Sequence, residues 1–150
     1  MGMTVKKILP ATLDHLHEAM AFVVAFAEEQ GVLPDRMMEI ELSLEEALVN
    51  IIKYAYREGN GDVEISCILS GDDRFIVEIC DNGIPFDVVS ASDPDVTSGI
   101  EERKIGGLGI FFIKRLMDDV TYRREDDKNI LRLTVLKNRT APRDGLETPE

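Results

Sequence analysis

Glu46, Asn50 and Lys53 are spaced by four and three residues within Leu44-Glu45-Glu46-Ala47-Leu48-Val49-Asn50-Ile51-Ile52-Lys53-Tyr54-Ala55-Tyr56. Projected at about 100° per residue they share one helical stripe, with Arg57 continuing it and Tyr54 on its flank. An acid, an amide and an amine are then stacked turn above turn. Such spacing also produces ordinary solvated faces. Two details favour a functional wall. Asparagine is a poor residue for a helix interior, because its side chain competes for backbone hydrogen bonds. Glu46 also meets Asn50 four residues on, where a helix selected for stability would place Lys or Arg. A second candidate is Ile105-Gly106-Gly107-Leu108-Gly109, which runs into a helical pattern. Glycine-rich backbone at a helix N-terminus is a ready anion cradle, through unpaired N–H groups and the helix dipole, although such turns also serve tight packing alone. No Gly-Lys-Ser/Thr follows, which excludes a Walker loop, and a dinucleotide fingerprint would lie early in a βαβ unit.

The elements that must position these groups are legible from periodicity. Met37, Ile40, Leu44, Ala47, Leu48, Ile51, Ile52 and Ala55 form an apolar stripe, so a long helix is expected from Pro34 to about Glu58, ended by Gly59-Asn60-Gly61. An earlier helix starts at Thr12 as N-cap, with Leu13, Leu16, Met20, Val23, Val24 and Ala27 on one face and Gly31 as its C′ residue. Met3 to Leu9 reads as a short edge strand closed by Pro10. Val63, Ile65, Cys67 and Leu69 alternate, as does Arg74 to Cys80 after Gly71-Asp72-Asp73, which predicts a β-hairpin. Asp81-Asn82-Gly83-Ile84-Pro85-Phe86 follows with an Asn-Gly turn signal. Asp87 to Ile105 is polar and aperiodic, as a lid or an insert would be. A helix is expected from Leu108 to Met117, then strands at Val120 to Arg124 and Ile130 to Leu136 around the turn Asp126-Asp127-Lys128-Asn129. Residues 1–137 form one expected domain, and the polar stretch Asn138 to Glu150 an expected disordered tail.

Composition narrows the function. A chain of 150 residues with 44% hydrophobic and 31% charged content suits one globular domain with a core. The net charge of −12 argues against general nucleic-acid binding, which needs a basic surface. An acidic chain that binds a nucleotide needs local backbone N–H groups, a helix N-terminus, a few cations or a metal ion. No apolar run approaches a membrane span, so neither a membrane nor a nucleic-acid partner is expected and a cytoplasmic location is. Cys67 and Cys80 lie inside predicted strands without a Cys-x-x-Cys or His/Cys cluster, and read as buried thiols. His15 and His17 are two residues apart on a helix and point in different directions, which makes a metal or catalytic pair improbable.

Read in order, the helix with Glu46-x-x-x-Asn50-x-x-Lys53-Tyr54, the hairpin ending in Asp81-Asn82-Gly83, the lid-like loop and Gly106-Gly107-Leu108-Gly109 resemble the Bergerat-fold ATP-binding domain of the GHKL superfamily. Within it, the chain is most similar to anti-sigma-factor serine/threonine kinases, over about residues 5 to 137. The resemblance implies an α/β two-layer sandwich, with a mixed, mostly antiparallel sheet of four or five strands and three main helices on one face. It implies ATP and Mg²⁺ as ligands and an anti-sigma-factor antagonist as protein substrate. Sequestration of a sigma factor and homodimerisation, with an exposed sheet edge as a route, are also family properties.

The site assignments follow from the same resemblance. Glu46 matches the general base that takes the proton of a Ser or Thr hydroxyl, and Glu45, rotated about 100° away, is the weaker candidate. Asn50 matches the Mg²⁺ ligand. Asp81 matches the acceptor for the adenine amino group, beside Gly83, which lets backbone pass close to the base. Gly106, Gly107, Leu108 and Gly109 match the phosphate turn, with Lys104, Lys53 and Tyr54 near it.

This chain departs from the family pattern in three places. Tyr54 stands where many serine-kinase members have His, so Lys53-Tyr54 is closer to histidine-kinase ATPase domains. Asn129-Ile130-Leu131 stands where a Gly-Thr often precedes the last strand, and Ala11 to Gln30 contains no Lys or Arg. Two alternative functions are an ATP-dependent binding module without phosphoryl transfer and a detached histidine-kinase catalytic domain. Missing dimerisation helices and phospho-acceptor His argue against the latter.

Overall fold

A computed structural model describes residues 3–56, 61–71, 73–85 and 113–137. Five strands, β1 (Met3–Pro10), β2 (Asp62–Ser70), β3 (Arg74–Asp81), β4 (Asp119–Glu125) and β5 (Lys128–Leu136), form one sheet in the order β1-β2-β3-β5-β4. All four pairings among the described residues are antiparallel, where the sequence led us to expect a mixed, mostly antiparallel sheet. Each predicted alternation buries one side of its strand. Val63, Ile65 and Cys67 of β2, Phe75, Val77 and Ile79 of β3, and Leu131, Leu133 and Val135 of β5 share the inner face.

Two helices cover that face. A 3₁₀ turn, Leu13–His15, leads into α1 (Leu16–Glu29), which packs Val23, Phe26 and Ala27 inward, with the Phe26 and Phe75 rings 5.9 Å apart. Thr12 takes the N-cap position of this turn as expected, but its side chain makes no capping bond. Its hydroxyl instead shares a 2.8 Å hydrogen bond with Nδ1 of His15, which also gives that imidazole a local partner. The α1 terminus does follow its sequence signal. Gly31 adopts φ +80°, and the Val32 N–H donates to Ala27 O while Gly31 N–H donates to Glu28 O, which is a Schellman closure.

Helix α2 (Pro34–Asn50) starts with its proline in the first turn, where a missing N–H costs nothing. Ile40, Leu44, Ala47 and Leu48 face the sheet. The expected long helix does not continue regularly past Asn50. Ile51–Ala55 is π-helical, closed by the Tyr56 N–H donating to Ile51 O at 3.3 Å, and Tyr56 leaves the helix. The widened turn rotates residues 53 and 54 away from the α-helical projection. Asn50 is buried, Tyr54 half-buried and Lys53 exposed, in place of one uniform stripe.

Residues 113–116 are helical and bury Ile113, and Met117 beyond them is also buried, in the same core. Arg36 in the first turns of α2 is completely buried and bonds Glu39, Leu116 O at 3.3 Å and Asp118 Oδ2 at 2.5 Å. It fastens the start of α2 to the corner before β4. Cys67 is buried and burial pushes its thiol up to about 12, whereas Cys80 is only half-buried on the opposite face of the sheet. Among the described residues no helix is long and apolar enough to cross a membrane. The predicted lid, the glycine cluster with Lys104 and the tail lie outside the described residues.

Candidate functional site

The site is built where the π-helical turn meets the end of β3. Alternation along β3 points Phe75, Val77, Ile79 and Asp81 to the helix side, so a carboxylate takes the last inner position of an otherwise apolar row. Asp81 is 3% exposed. The turn after it is held by its own side chain: the Gly83 N–H donates to Asp81 Oδ1 at 2.8 Å, as Asp does in tight turns.

This turn is docked on the helix. The Ile84 N–H donates to Ala55 O at 3.1 Å, and a Cβ added at Gly83 would lie 2.4 Å from that same carbonyl oxygen. Only glycine permits this approach. Tyr56 adds a second tie, its hydroxyl donating to Asp62 O at 2.8 Å and accepting from the Asn82 N–H at 2.7 Å. Burial pushes the Tyr56 phenol up, and its bond with Asn82 partly offsets that shift. The helix end carrying Asn50 and the turn carrying Asp81 are therefore one rigid unit.

Asn50 is 3% exposed, and its Nδ2 has no hydrogen-bond partner among the described residues. A buried amide donor left unsatisfied costs roughly 1–3 kcal/mol, so it marks a place where a ligand or water belongs. Glu46, one turn earlier, is half-buried, and Glu45 is exposed. The structure thus joins Asn50 with Asp81 and Gly83 through contacting elements and keeps Glu46 on the same helix. Lys53 is exposed and Tyr54 half-buried beside them. Lys104, Gly106, Gly107, Leu108 and Gly109 are outside the described residues. Among the described residues no group of three or more His, Cys, Asp or Glu could hold a metal ion.

The residue that sequence reasoning passed over is Asn129. It was noted only as a departure from a Gly-Thr pattern, yet it lies opposite Asp81 in the β3–β5 register and is 4% exposed. Its Nδ2 donates to Asp81 Oδ1 at 2.9 Å and to Ile84 O at 2.8 Å. Its Oδ1 accepts from the Tyr122 hydroxyl at 2.5 Å and from Arg124 Nη1 at 3.2 Å. Arg124 Nη1 also donates to Gly83 O at 2.8 Å. Burial raises the Asp81 carboxyl above its ordinary 3.8, while Asn129, the Gly83 N–H and the Arg124 charge act to lower it. The available signal was the turn at Asp126 and Asp127, both at positive φ, which sets the β4–β5 register and brings Tyr122 and Arg124 alongside.

Known proteins resemble this chain in sequence and in fold. Over 141 residues the chain is 25% identical to the serine-protein kinase RsbW of Bacillus mycoides (strain KBAB4), covering 91% of this chain and 88% of that one. The RsbW of Bacillus cereus (strain G9842) is 26% identical over the same coverage. In three dimensions the fold resembles the RsbU and RsbW domains of Rv1364c from Mycobacterium tuberculosis, with a TM-score of 0.63 and 14% identity. That match covers 98% of this chain and 35% of the longer one. The SiaB–SiaC complex from Pseudomonas aeruginosa contains a chain similar at a TM-score of 0.57 and 14% identity, over 88% of this chain and 89% of that one. The histidine kinase-like ATPase domain family matches residues 9–135. That span takes in both helices and nearly all of β2 to β5, and the chain belongs to this family.

Proposed function

We infer that the chain is an ATP-dependent serine/threonine protein kinase and anti-sigma factor, which phosphorylates an anti-sigma-factor antagonist in a bacterial partner-switching pathway. The observation that carries this reading is the docking of the Asp81–Ile84 turn on the helix end that bears Glu46 and Asn50. It joins a base-reading carboxylate and a phosphate-side amide in one rigid unit, as an ATP site requires. The full-length similarity to serine-protein kinases supports the choice of protein hydroxyl as acceptor.

Each residue then has a task. Asp81 accepts a hydrogen bond from the adenine amino group, and Gly83 leaves room for the base. Asn50, buried with an unmatched amide donor, fits a Mg²⁺–phosphate neighbourhood. Mg²⁺, when bound, supplies charge neutralisation for the phosphates of an acidic chain's nucleotide. Lys53, Tyr54, Lys104 and the N–H groups of Gly106, Gly107, Leu108 and Gly109 are assigned to the phosphates by the family resemblance. Glu46 takes the proton of the incoming Ser or Thr hydroxyl as its oxygen attacks the terminal phosphorus of ATP. ADP leaves, and the phosphoryl group remains on the hydroxyl oxygen.

We place the protein in the cytoplasm, as one domain over residues 1–137, with a sigma factor as second partner. Homodimerisation through an exposed edge strand, β1 or β4, completes the proposal.

The test is a transfer assay with Mg-ATP and the cognate antagonist, run beside calorimetry of ATP binding. Glu46→Gln should lower transfer by about 10²–10⁴-fold while ATP still binds. Asp81→Asn should lose ATP binding. Tight ATP binding with no transfer by the wild type would replace the kinase with an ATP-dependent binding module.

A further inference from the structure

The Asp81 carboxylate is buried, and a buried carboxyl tends to take up a proton. That outcome would reverse its chemistry at the base. An ionised carboxylate only accepts hydrogen bonds and suits an amino group, whereas a protonated one can donate to a carbonyl. Purine selectivity at this position therefore depends on what surrounds Asp81, as well as on Asp81 itself.

The surroundings are donors. Asp81 Oδ1 accepts from the Gly83 N–H at 2.8 Å and from Asn129 Nδ2 at 2.9 Å. Asn129 cannot turn its oxygen toward Asp81 at low cost. Its Oδ1 is claimed by the Tyr122 hydroxyl and Arg124 Nη1, and its Nδ2 has a second acceptor in Ile84 O. Four hydrogen bonds fix one amide orientation, in which a donor must point at the carboxylate. The other titratable neighbours of Asp81 are Arg124, which favours the anion, and Tyr56 and Cys80, which are neutral at pH 7.

We propose that Asn129 is the positioning residue that sets purine selectivity: clamped by Tyr122 and Arg124, it holds Asp81 as an ionised, acceptor-only carboxylate and so commits the pocket to an amino-bearing purine over a carbonyl-bearing one. The inference rests on the ATP reading above for the identity of the ligand. The clamp itself is a property of the nucleotide-free chain and is measured separately.

Two readouts test it on the full chain. In the nucleotide-free protein, the Asp81 carboxyl is titrated by ¹³C NMR. Asn129→Leu should raise its midpoint by about one pH unit or more, which is a tenfold change in proton affinity. Asn129→Asp should raise it further, because two carboxyls at this spacing share a proton. Equilibrium binding of ATP and GTP, measured at a pH between the wild-type and variant midpoints, should then show the ATP-over-GTP ratio falling up to about tenfold in both variants. Tyr122→Phe, which removes a bond to Asn129, should lower the ratio about threefold at that pH and keeps the test open if the Asn129 variants fail to fold. An Asp81 midpoint and an ATP-over-GTP ratio unchanged within twofold in the folded variants would overturn the proposal and leave ATP binding standing. A wild type that binds neither nucleotide would overturn the ATP reading and the selectivity claim together, whatever the carboxyl titration gives.

Discussion

Arg36 and Asn50 lie at opposite ends of α2, both buried, and they differ in how their polar atoms are matched. Arg36 spends both terminal nitrogens on Glu39, Leu116 O and Asp118, across 82 residues of sequence, and only its Nε is without a partner among the described residues. Asn50 is left with a donor that no described residue accepts. A buried polar group that is matched by protein holds elements together. One that is unmatched costs stability, and is retained where a ligand completes it. We assign one end of this helix to holding the fold and the Asn50 end to the proposed nucleotide site, and the π-helical turn follows directly on the latter.

The comparison can be broken from either side. The largest stability effect belongs to Arg36→Ala, which strands two carboxylates in a buried corner and should cost about 3–5 kcal/mol in urea unfolding. A loss below about 1 kcal/mol would mean that the ion cluster does not hold α2 to the β4 corner. Next comes Gly83→Ala. Its Cβ would meet the Ala55 backbone, so the turn must move, at about 1–3 kcal/mol of stability together with weakened ATP binding. Unchanged binding would uncouple the turn from the site.

Asn50→Ala sharpens the contrast with Arg36. It should change stability by less than about 1 kcal/mol, because it removes a group already unsatisfied, yet abolish Mg²⁺-dependent ATP binding. A large stability loss with ATP binding intact would make Asn50 structural. The smallest effect is on pH. The folded-state carboxyl of Asp81 is raised above 3.8, so its contribution to nucleotide-free stability is fully present below 3.8 and is lost as pH rises through the folded value. ATP affinity should run the opposite way and weaken as pH falls through that value. Subtracting the stability profile of Asp81→Asn isolates the first effect, and a wild-type ATP affinity that does not change with pH would remove Asp81 from the base-binding role.

Much of this was legible beforehand because it is local. Strand alternation named the inner face of β2 and β3, and Gly31 announced the close of α1. Two local signals misled. Thr12 had a nearer partner in His15 than any backbone N–H, and the apolar stripe through Ala55 concealed the change from α to π hydrogen bonding. The stripe concealed it because a π turn still buries Ile51 and Ala55, the positions by which a helix is recognised.

By itself, then, the sequence determined the elements and their buried faces, since periodicity and turn chemistry act over a few residues, while Glu46, Asn50, Asp81 and Gly83 are proposed as a set from the family resemblance. Only the tertiary structure decided that Arg36 meets Asp118, that the Gly83 turn rests on Ala55 and that Asn129 faces Asp81 across 48 positions. Those contacts depend on strand order and register, which are set by the packing of the whole sheet against its helices and which no local spacing encodes.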